Sequence, residues 1–427
     1  MAEVVVIGGG IAGIQAALDL ANHGVRVHLV EKEPAIGGHM AQLDKTFPTN
    51  DCSMCILSPK MVEVERHPGI VLHTCTEVTG IEGEVGTFTV HLRRHPRYVD
   101  EERCNGCGDC TTVCPVEVYN RFDAGIGVRK AIYRPMPQAV PNVTIRDREH
   151  CIDCGLCYEA CGRDAVLHDD EDREEEFDLT AASVVVTTGY ATFDPARKRN
   201  LRYLQVPDVV TSLQFERMIN ASGPTGGEVR RLSNGAVPRS VAFLQCVGSR
   251  DMQADRPYCS CVCCMAAMKN AMLIKEHHPD VEVTILYMDV RAYGKGYEEY
   301  FNRAEAMGVR FLRGLPGEIA QTDGGLEMQV ENTETGAVEL LKPDLVVLSV
   351  GMEPQAGMEE IAGRLGITLE ETGFVHTRDE KMNTVATIRP GIYVAGTAAA
   401  PKDIPDSVAM AGAAAMRAYT DVLKAGI

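Results

Sequence analysis

The sequence predicts an α/β fold made of two dinucleotide-binding-type domains, with a small α+β module inserted into the first. Three observations lead to this prediction. The first 38 residues read as a strand, a glycine turn, a helix and a second strand. A cysteine-rich stretch of different composition, residues 96–170, then interrupts the first domain. A second succession of apolar strands and helical stretches starts near Arg239.

Five segments follow from these observations. Residues 1–95, 171–235 and 353–427 are predicted to form the first dinucleotide-binding domain. Residues 96–170 are predicted to form the inserted module, and residues 236–352 the second domain. An insertion between two strands is compatible with a rigid scaffold that carries a further module on a loop.

Composition narrows the functional classes. The formal net charge of the 427-residue chain is −18, which disfavours binding to nucleic acid or to an anionic membrane surface. There is no apolar run of about 20 residues and no cleavable leader before the first strand, so we expect a cytoplasmic protein without a transmembrane segment. Nothing indicates the oxidising compartment that disulfides need, so the 16 cysteines favour metal ligation.

The first dinucleotide motif comes directly after an apolar strand. Gly8, Gly10 and Gly13 stand in the spacing G-x-G-x-x-G at the start of an Ala/Leu-rich helical stretch. The first glycine allows the tight turn, the second lets backbone N–H groups approach a pyrophosphate, and the third lets helix and strand pack closely. Glu31, 18 residues after Gly13, is placed to accept a hydrogen bond from a ribose 2′-hydroxyl.

The segment after Glu31 favours FAD over NAD as the bound dinucleotide. It begins at Lys32 and carries a second glycine pair, Gly37 and Gly38. Flavoproteins with two dinucleotide-binding domains have such a pair where the loop passes the flavin side of FAD. We therefore predict that these three residues contribute to FAD binding.

Two later strands return to the flavin domain, and each ends in a glycine. The first ends at Gly189 and the second at Gly396, ahead of an Ala-rich helix predicted over residues 407–423. Thr397 stands where flavin reductases usually carry an aspartate. Its hydroxyl is expected to hydrogen-bond the ribitol chain of FAD more weakly than a carboxylate would.

The inserted module contains two copies of one cysteine run with the spacing C-x-x-C-x-x-C-x-x-x-C. The members of the two copies are Cys104, Cys107, Cys110, Cys114, and Cys151, Cys154, Cys157, Cys161. This pattern is typical of bacterial-type ferredoxins with two [4Fe–4S] clusters, in which the fourth cysteine of each run ligates the other cluster. We therefore assign Cys161 to the first cluster and Cys114 to the second. A zinc ribbon would need two C-x-x-C pairs instead.

The second domain lacks a glycine fingerprint where one would be expected. Its first strand leads into residues 246–251, Cys-Val-Gly-Ser-Arg-Asp, so nicotinamide binding on this chain is not supported. Five cysteines lie within 19 residues here: Cys246, Cys259, Cys261, Cys263 and Cys264. Buried cysteines can act as small apolar side chains, but five so close together favour a third iron–sulfur cluster.

Three parts of the sequence resemble the A subunits of heterodisulfide reductases. They are residues 37–45 with 51–57, the doubled cysteine run, and the cysteine block of the second domain. The resemblance covers nearly the whole chain. It implies a thioredoxin-reductase-like body with FAD, an inserted ferredoxin domain and an extra [4Fe–4S] cluster. By position it implies four ligands for that cluster, leaving Cys261 unused: Cys246, Cys259, Cys263 and Cys264.

The resemblance also implies a catalytic role for Lys269, which matches a family lysine near flavin N5. A cation there would stabilise an anionic reduced flavin; the alternative is an ordinary surface lysine. Longer family members carry an N-terminal cluster domain and a C-terminal ferredoxin domain, and we expect this chain to be a short form without them. Cys52 and Cys55 then ligate a further cluster completed elsewhere, act as a dithiol, or have no role. Cys75 has no assigned role.

We expect an oxidoreductase that relays or splits flavin electron pairs through its clusters, with flavin-based bifurcation dependent on partner subunits. The resemblance implies three kinds of partner and a homodimer: other heterodisulfide-reductase-like subunits, ferredoxin, and a hydrogenase- or NADH-linked electron-input module. Two alternatives remain. One is a self-contained NAD(P)H-dependent disulfide or sulfur reductase that uses Cys52 and Cys55. The other is a structural or assembly subunit with inert clusters.

Overall fold

The structure is a computed structural model that describes residues 3–426. The chain divides into two compact units. The first comprises the chain up to residue 41, residues 54–190, and the chain from residue 354 onward. The second comprises residues 42–53 and 191–353.

Strands and helices alternate through most of the chain. In chain order the strands are β1 (Glu3–Ile7), β2 (Arg26–Val30), β3 (Lys45–Thr46), β4 (Asp51–Cys52), β5 (Ile70–His73), β6 (Thr76–Glu82), β7 (Phe88–Arg94), β8 (Glu117–Tyr119), β9 (Val128–Lys130), β10 (Ile132–Tyr133), β11 (Ile145–Arg146), β12 (Glu175–Ala181), β13 (Ser183–Val186), β14 (Tyr190–Thr192), β15 (Val209–Thr211), β16 (Ser240–Val247), β17 (Glu282–Tyr287), β18 (Arg310–Arg313), β19 (Ala320–Thr322), β20 (Gly325–Asn332), β21 (Ala337–Leu341), β22 (Leu345–Val350), β23 (Met352–Pro354) and β24 (Ile392–Val394). The helices are α1 (Ile11–Asn22), α2 (Ser53–Arg66), α3 (Asp109–Val113), α4 (Leu156–Ala160), α5 (Ser212–Ile219), α6 (Cys263–His277), α7 (Tyr297–Ala306), α8 (Met358–Leu365) and α9 (Ile404–Lys424). The described residues contain no helix with the length and apolar character needed to cross a bilayer.

The first unit is built on a five-stranded parallel sheet of order β24-β13-β1-β2-β5. Its central strand β1 places Val5 opposite Val184 of β13 and opposite His28 of β2. Helices α1 and α9 pack together on one face. The antiparallel sheet β12-β7-β6 contributes Phe88 and Val90 to the core on the other face. Because both faces are covered, the central strands are almost continuously apolar.

The cysteine-rich module is inserted between two strands that pair with each other. Strand β7 leads into the module and β12 follows it, and Arg94 of β7 lies opposite Glu175 of β12. The buried carboxylate of Asp172 accepts hydrogen bonds from the Arg97 and Tyr98 backbone N–H groups at 2.8 and 2.7 Å and from Arg94 Nη1 at 2.9 Å. The two ends of the module are therefore held side by side, and the insertion leaves the strand register intact.

The second unit is built on another five-stranded parallel sheet, of order β15-β22-β16-β17-β18. Phe243 of β16 lies opposite Ile285 of β17 and opposite Val347 of β22, all buried. Helix α6 connects β16 to β17. The register between β16 and β22 shifts after Leu244, and Cys246 within that irregularity has a φ of +60°. A second nucleotide-type sheet is thus present, with a cysteine at the end of its central strand.

The predicted fold class is confirmed, and three local predictions need correction. The Met/Ala/Leu stretch predicts a helix from about Met265, and residues 47–55 predict a polar turn. Helix α6 begins at Cys263 instead, so Cys263 and Cys264 lie in its first turn. Residues 47–55 are not a polar turn throughout, because β4 ends at Cys52 and α2 begins at Ser53. Cys55 is consequently helical. The Ala-rich helix α9 starts at Ile404, three residues before the predicted start, and Asp403 caps it by accepting from the Asp406 N–H at 2.9 Å.

Candidate flavin and iron–sulfur sites

The glycine turn between β1 and α1 leaves room only where a dinucleotide would need it. A Cβ on Gly13 would lie 1.8 Å from the Gly8 carbonyl oxygen, so no other residue fits there. Gly8 itself has a φ of +106°. A Cβ on Gly10 would meet nothing within 4 Å. The space in front of helix α1 is therefore open, while the packing behind it is closed.

The N-terminus of α1 faces this space without a side-chain cap. No side chain accepts from its first-turn N–H groups at the N-cap residue Gly10. The second glycine pair lies against the same turn: the Gly37 N–H donates to the Gly9 carbonyl at 2.8 Å, and a Cβ on Gly38 would lie 3.1 Å from Gly10 Cα. Uncapped N–H groups at a helix N-terminus suit a pyrophosphate.

Glu31 lies at the end of β2, where a ribose acceptor was predicted. Its Oε2 accepts from the Gly9 N–H at 2.6 Å and its Oε1 accepts from the Glu33 N–H at 2.9 Å. Burial raises the pKa of this carboxyl group above its ordinary value, whereas the two backbone donors lower it. Each oxygen keeps capacity for one further donor, such as a ribose hydroxyl. Lys32, next in sequence, is exposed.

The later flavin-domain residues gather near the same turn. Gly189 follows β13 with a φ of +78°, and a Cβ there would meet nothing within 4 Å. The neighbouring Thr188 Oγ1 is buried and has no hydrogen-bond partner within residues 3–426. A Cβ on Gly396 would lie 2.8 Å from Ala12 Cβ in α1, and Thr397 follows it. An open cradle with an unsatisfied buried hydroxyl fits FAD.

The structure brings the two cysteine runs of the module together crosswise. A cavity is lined by the first three cysteines of the second run and by the last cysteine of the first run: Cys151, Cys154, Cys157 and Cys114. On the other side, Cys104 and Cys161 lie near Cys110, and their negative charges add to burial in raising the pKa of the Cys110 thiol. Cys107 is exposed. The fourth cysteine of each run thus lies beside cysteines of the other run.

Short helices position the buried cysteine of each run. Gly108 and Gly155, with φ of +88° and +81°, precede α3 and α4 and turn the chain so that Cys110 and Cys157 point into the small core of the module. The two helices pack on each other. Such a pair of turns repeated in sequence produces the pseudo-symmetry that lets each run supply a ligand to the other group.

The remaining cysteines gather at the carboxyl end of the second sheet. Cys246 is the penultimate residue of β16. Cys263 Sγ lies 3.7 Å from the carbonyl oxygen of Val350, the last residue of β22, and Cys264 Sγ lies 3.8 Å from the Asp289 carbonyl oxygen after β17. Burial raises the pKa of the Cys246 thiol to about 12, and the charges of Cys264 and Cys259 add to this effect. Ligands of open α/β sheets bind at this edge.

Cys259 and Cys261 occupy the loop before α6. The Cys261 N–H donates to Cys259 Sγ at 3.3 Å, and hydrogen bonding from Cys261 lowers the pKa of the Cys259 thiol to about 6. Arg250 stands beside the group: its Nη2 donates to Asp289 Oδ2 at 2.8 Å, while its buried Nη1 has no partner within the described residues. Thiolates next to a fixed cation suit an anionic iron–sulfur cluster.

Lys269 is not a surface lysine. It lies on α6 with 1% of its surface exposed and forms an ion pair with Glu216, which is 4% exposed. The Asp44 backbone N–H also donates to Glu216 Oε2, at 3.1 Å. Burial raises the pKa of the Asp44 carboxyl group. The lysine is therefore held at one position by a buried carboxylate.

Three cysteines are left by these groupings: Cys52, Cys55 and Cys75. Cys52 on β4 and Cys55 on α2 are both exposed. Cys75 is buried with a φ of +51°, and burial raises the pKa of its thiol to about 11. A buried thiol with a raised pKa behaves as a small apolar side chain.

Several polar residues around the sites were not predicted from the sequence. They are Thr144 and Arg146 in the module, Thr188 in the flavin cradle, and Glu216 and Arg250 in the second unit. Each is separated in sequence from the residues that it contacts. Arg250 is part of the sequence motif at residues 246–251, but its position beside the thiols depends on the fold.

Three protein-family models match separate parts of the chain. A model described as FAD dependent oxidoreductase matches residues 3–65, and a 4Fe-4S dicluster domain matches residues 97–162. A model described as pyridine nucleotide-disulphide oxidoreductase matches residues 258–415, beginning after the turn at residues 246–251. The first two matches contain the glycine turn and both cysteine runs.

Curated relatives match nearly the whole chain. The A subunit of the H(2):CoB-CoM heterodisulfide,ferredoxin reductase of Methanothermobacter marburgensis is 50% identical over 99% of this chain and 64% of that protein. An iron-sulfur A subunit of the CoB-CoM heterodisulfide reductase of Methanopyrus kandleri is 53% identical over 98% and 64%. The A subunit of the Ferredoxin/F(420)H(2)-dependent CoB-CoM heterodisulfide reductase of Methanosarcina acetivorans is 49% identical over 97% and 52%. The chain therefore spans less than two thirds of the length of these relatives.

Solved structures show the same fold at low sequence identity. Thioredoxin reductase from T. acidophilum has a TM-score of 0.53 at 15% identity, covering 99% of this chain and all of that one. Thioredoxin reductase from Lactococcus lactis has a TM-score of 0.53 at 17% identity with the same coverage. The fold, the FAD cradle and the dicluster module together define a flavin- and iron–sulfur-dependent oxidoreductase.

Within that class, the chain belongs to the family of heterodisulfide reductase A subunits. The resemblance stated from the sequence is thereby confirmed.

Proposed function

We propose that the chain is an electron-transfer component of a heterodisulfide-reductase-like complex, with FAD and three [4Fe–4S] clusters. The observation that carries this proposal is the gathering of cysteines, instead of glycines, at the carboxyl edge of the second parallel sheet. At that edge a two-nucleotide reductase would bind its pyridine nucleotide.

Some residues of the chain would bind the cofactors, and others would adjust the reduction potentials of those cofactors. FAD, when bound, exchanges electrons in pairs or singly, whereas each iron–sulfur cluster exchanges one. The glycine turn and Glu31 would hold the adenosine and pyrophosphate part of FAD. The assigned cluster ligands are twelve: Cys104, Cys107, Cys110 and Cys161; Cys151, Cys154, Cys157 and Cys114; Cys246, Cys259, Cys263 and Cys264.

Lys269 is proposed to act on the flavin by its charge. A lysine held in a buried ion pair keeps one position and loses little further entropy when it meets a ligand. Its positive charge favours an anionic reduced flavin, and Glu216 limits how strong that effect becomes. The pair would thus set the flavin potential within a narrow range.

The partners proposed for the chain follow from its relatives. Their names include heterodisulfide reductase, ferredoxin, H(2) and formate. We infer that this chain takes or gives electrons through ferredoxin, further heterodisulfide-reductase-like subunits and a hydrogenase- or NADH-linked module, as a homodimer in a larger complex. Flavin-based bifurcation would need these partners to supply separate high- and low-potential exits.

An anaerobic stopped-flow experiment tests the electron donor. The full chain with its cofactors is mixed with reduced ferredoxin, or with NADH or NADPH, and flavin absorbance is followed. The proposal predicts rapid flavin bleaching by reduced ferredoxin and none by the pyridine nucleotides. Rapid bleaching by NAD(P)H would instead support a self-contained reductase. Loss of disulfide reduction in a Cys52→Ser variant would further support that alternative.

A reductive titration followed by EPR tests whether the clusters take part. The proposal predicts signals of reduced [4Fe–4S] clusters that appear as electrons are added. Clusters that never change redox state would leave only a structural or assembly role.

A further inference from the structure

The two cysteine groups of the inserted module have different polar neighbours, although the module is pseudo-symmetric. The two neighbours are Thr144 and Arg146, two residues apart at strand β11. Thr144 Oγ1 lies 3.8 Å from Cys104 Sγ and 3.9 Å from Cys110 Sγ. Arg146 lines the cavity of Cys114, Cys151, Cys154 and Cys157. One group therefore faces a neutral hydroxyl and the other a cation.

Arg146 is buried and only partly satisfied. Its side chain is 1% exposed, and its guanidinium stacks on the rings of Tyr98 and Tyr158, at 4.9 and 5.5 Å from the ring centroids. Its Nη1 and Nη2 donate to the Tyr158 hydroxyl and to Asp169 Oδ1. Its Nε is buried and has no partner within residues 3–426. The guanidinium of Arg146, which forms part of the cavity wall, thus has one N–H donor without a partner among the described residues.

Other charges near this cavity are more exposed than Arg146. Asp153 also lines it, but its side chain is 55% exposed and pairs with Arg148 at 2.8 Å. Asp169 is 47% exposed and pairs with both arginines. Water and salt screen exposed charges much more than buried ones. The unscreened charge at the cavity is consequently positive.

We propose that Arg146 raises the reduction potential of the cluster bound by Cys114, Cys151, Cys154 and Cys157 above that of its partner cluster. This inference rests on the proposed function, since it requires both ferredoxin-type clusters. A cluster that gains one electron becomes more negative by one charge, and a nearby cation or N–H donor stabilises that form. Electrons that enter the module would therefore reside mainly on this cluster, and Thr144 would tune the other one more weakly.

The experiment is an EPR-monitored potentiometric titration of the full chain with its cofactors, with iron counted for every preparation. Arg146→Gln is expected to lower one ferredoxin midpoint potential, so that at the original midpoint the ratio of reduced to oxidised cluster falls about tenfold. That factor corresponds to about 59 mV for a one-electron couple. Arg146→Lys, which keeps the charge, is expected to retain most of the original potential. Thr144→Val is expected to lower the other midpoint.

Asp169→Asn is a second test, in which the midpoint potential is expected to shift in the opposite direction. It changes an exposed side chain and leaves the buried arginine in place. Loss of this exposed counter-ion leaves the charge of Arg146 less offset, so the same midpoint is expected to rise. Asp170→Asn removes an equal, exposed charge one residue away and is expected to shift the midpoint less. Opposite shifts from Arg146→Gln and Asp169→Asn cannot come from simple loosening of the module.

Three results would overturn the inference. In the first, Arg146→Gln retains its iron and both midpoints stay unchanged. In the second, Asp169→Asn shifts the midpoint no more than Asp170→Asn does. In the third, Arg146→Gln and Thr144→Val lower the same midpoint. A wild-type preparation with FAD but without the eight ferredoxin irons would instead overturn the proposed function, and this inference with it.

Discussion

The two parallel sheets carry the same strand–turn–helix element with different residues at the turn. In the first unit, β1 passes through Gly8 and Gly10 into α1, and a Cβ would clash behind the turn but not in front of it. In the second unit, Cys246 is the penultimate residue of β16, and the following loop leads to Cys263 in the first turn of α6. The same edge of a parallel sheet therefore carries backbone hydrogen-bond donors in the first unit and cysteine sulfur in the second.

The largest effect is expected when a side chain fills the open space at the glycine turn of the first unit. Gly10→Val places a side chain in the open space in front of α1, where a Cβ meets nothing within 4 Å, and Gly10 has a φ of −74° that valine tolerates. We expect FAD content to fall by more than tenfold while the far-UV circular dichroism stays unchanged. The absorbance of released flavin per chain measures this loss.

Gly363→Ala is the matched control for that change. Its Cβ also meets nothing within 4 Å, but it lies on α8, away from the turn. It should retain full FAD. If Gly10→Val also retained FAD, the first turn would not hold a pyrophosphate.

The next largest effect is expected from changing the cysteines between β16 and α6 in the second unit. Cys263→Ser should remove one cluster, about four irons, and leave FAD in place, because the cysteines concerned belong to a different sheet from the glycine turn. Cys261→Ser, in the same loop, is the matched control and should keep all the iron. Iron, acid-labile sulfide and flavin assays on anaerobic preparations measure both. Equal iron loss in the two variants would mean that the ligand set is assigned wrongly.

The buried charges also differ between the units. The second unit contains the ion pair of Lys269 and Glu216, and Glu216→Gln would leave the lysine buried without a counter-charge. We expect the free energy of unfolding to fall by about 3–5 kcal/mol, measured by urea denaturation. The double variant Glu216→Leu, Lys269→Met removes both charges and should be less destabilised than Glu216→Gln alone. A single variant as stable as the wild type would show that the pair is solvated.

The first unit contains a partly buried histidine pair, His28 and His73. His73 Nε2 lies 2.9 Å from His28 Nδ1, and His28 Nε2 lies 2.8 Å from Glu3 Oε2. Burial, aided by the charge of His28, lowers the pKa of His73 to about 4. Between about pH 6.5 and pH 4 the unfolded chain then binds more protons than the folded one, so stability is lost as the pH falls through this window.

This pH effect should be the smallest of the four. The pKa difference corresponds to about 3 kcal/mol at 1.36 kcal/mol per unit. His73→Gln should remove most of it without removing the hydrogen-bonding side chain. Urea denaturation at pH 7 and pH 4.5 measures the difference. An equal loss of stability in the variant and the wild type would assign the pH dependence to other groups.

The sequence predicted the fold class and the inserted dicluster module, for physical reasons. The glycine spacing at Gly8 to Gly13 follows from one local turn, and the doubled cysteine run follows from one repeated motif. Both are short-range patterns. The strands of both sheets were visible as apolar runs because each sheet is covered on both faces.

The parts that could not be predicted depend on contacts between distant segments. Glu216 and Lys269 are 53 residues apart, and their burial as a pair follows only from the packing of α5 and α6. Arg146 gave no signal, because an arginine between two cysteine runs is usually solvated. The helix predicted from about Met265 begins two residues earlier, at Cys263, and this boundary depends on how the cysteine loop folds.

The most direct test of the account is the ratio of iron and acid-labile sulfide to FAD in the unmodified chain purified anaerobically. Three four-iron clusters, one of them at the carboxyl edge of the second sheet, predict about 12 iron atoms per FAD. About 8 iron atoms per FAD, with both ferredoxin-type clusters present, would contradict the claim that sulfur ligands have replaced the second nucleotide site.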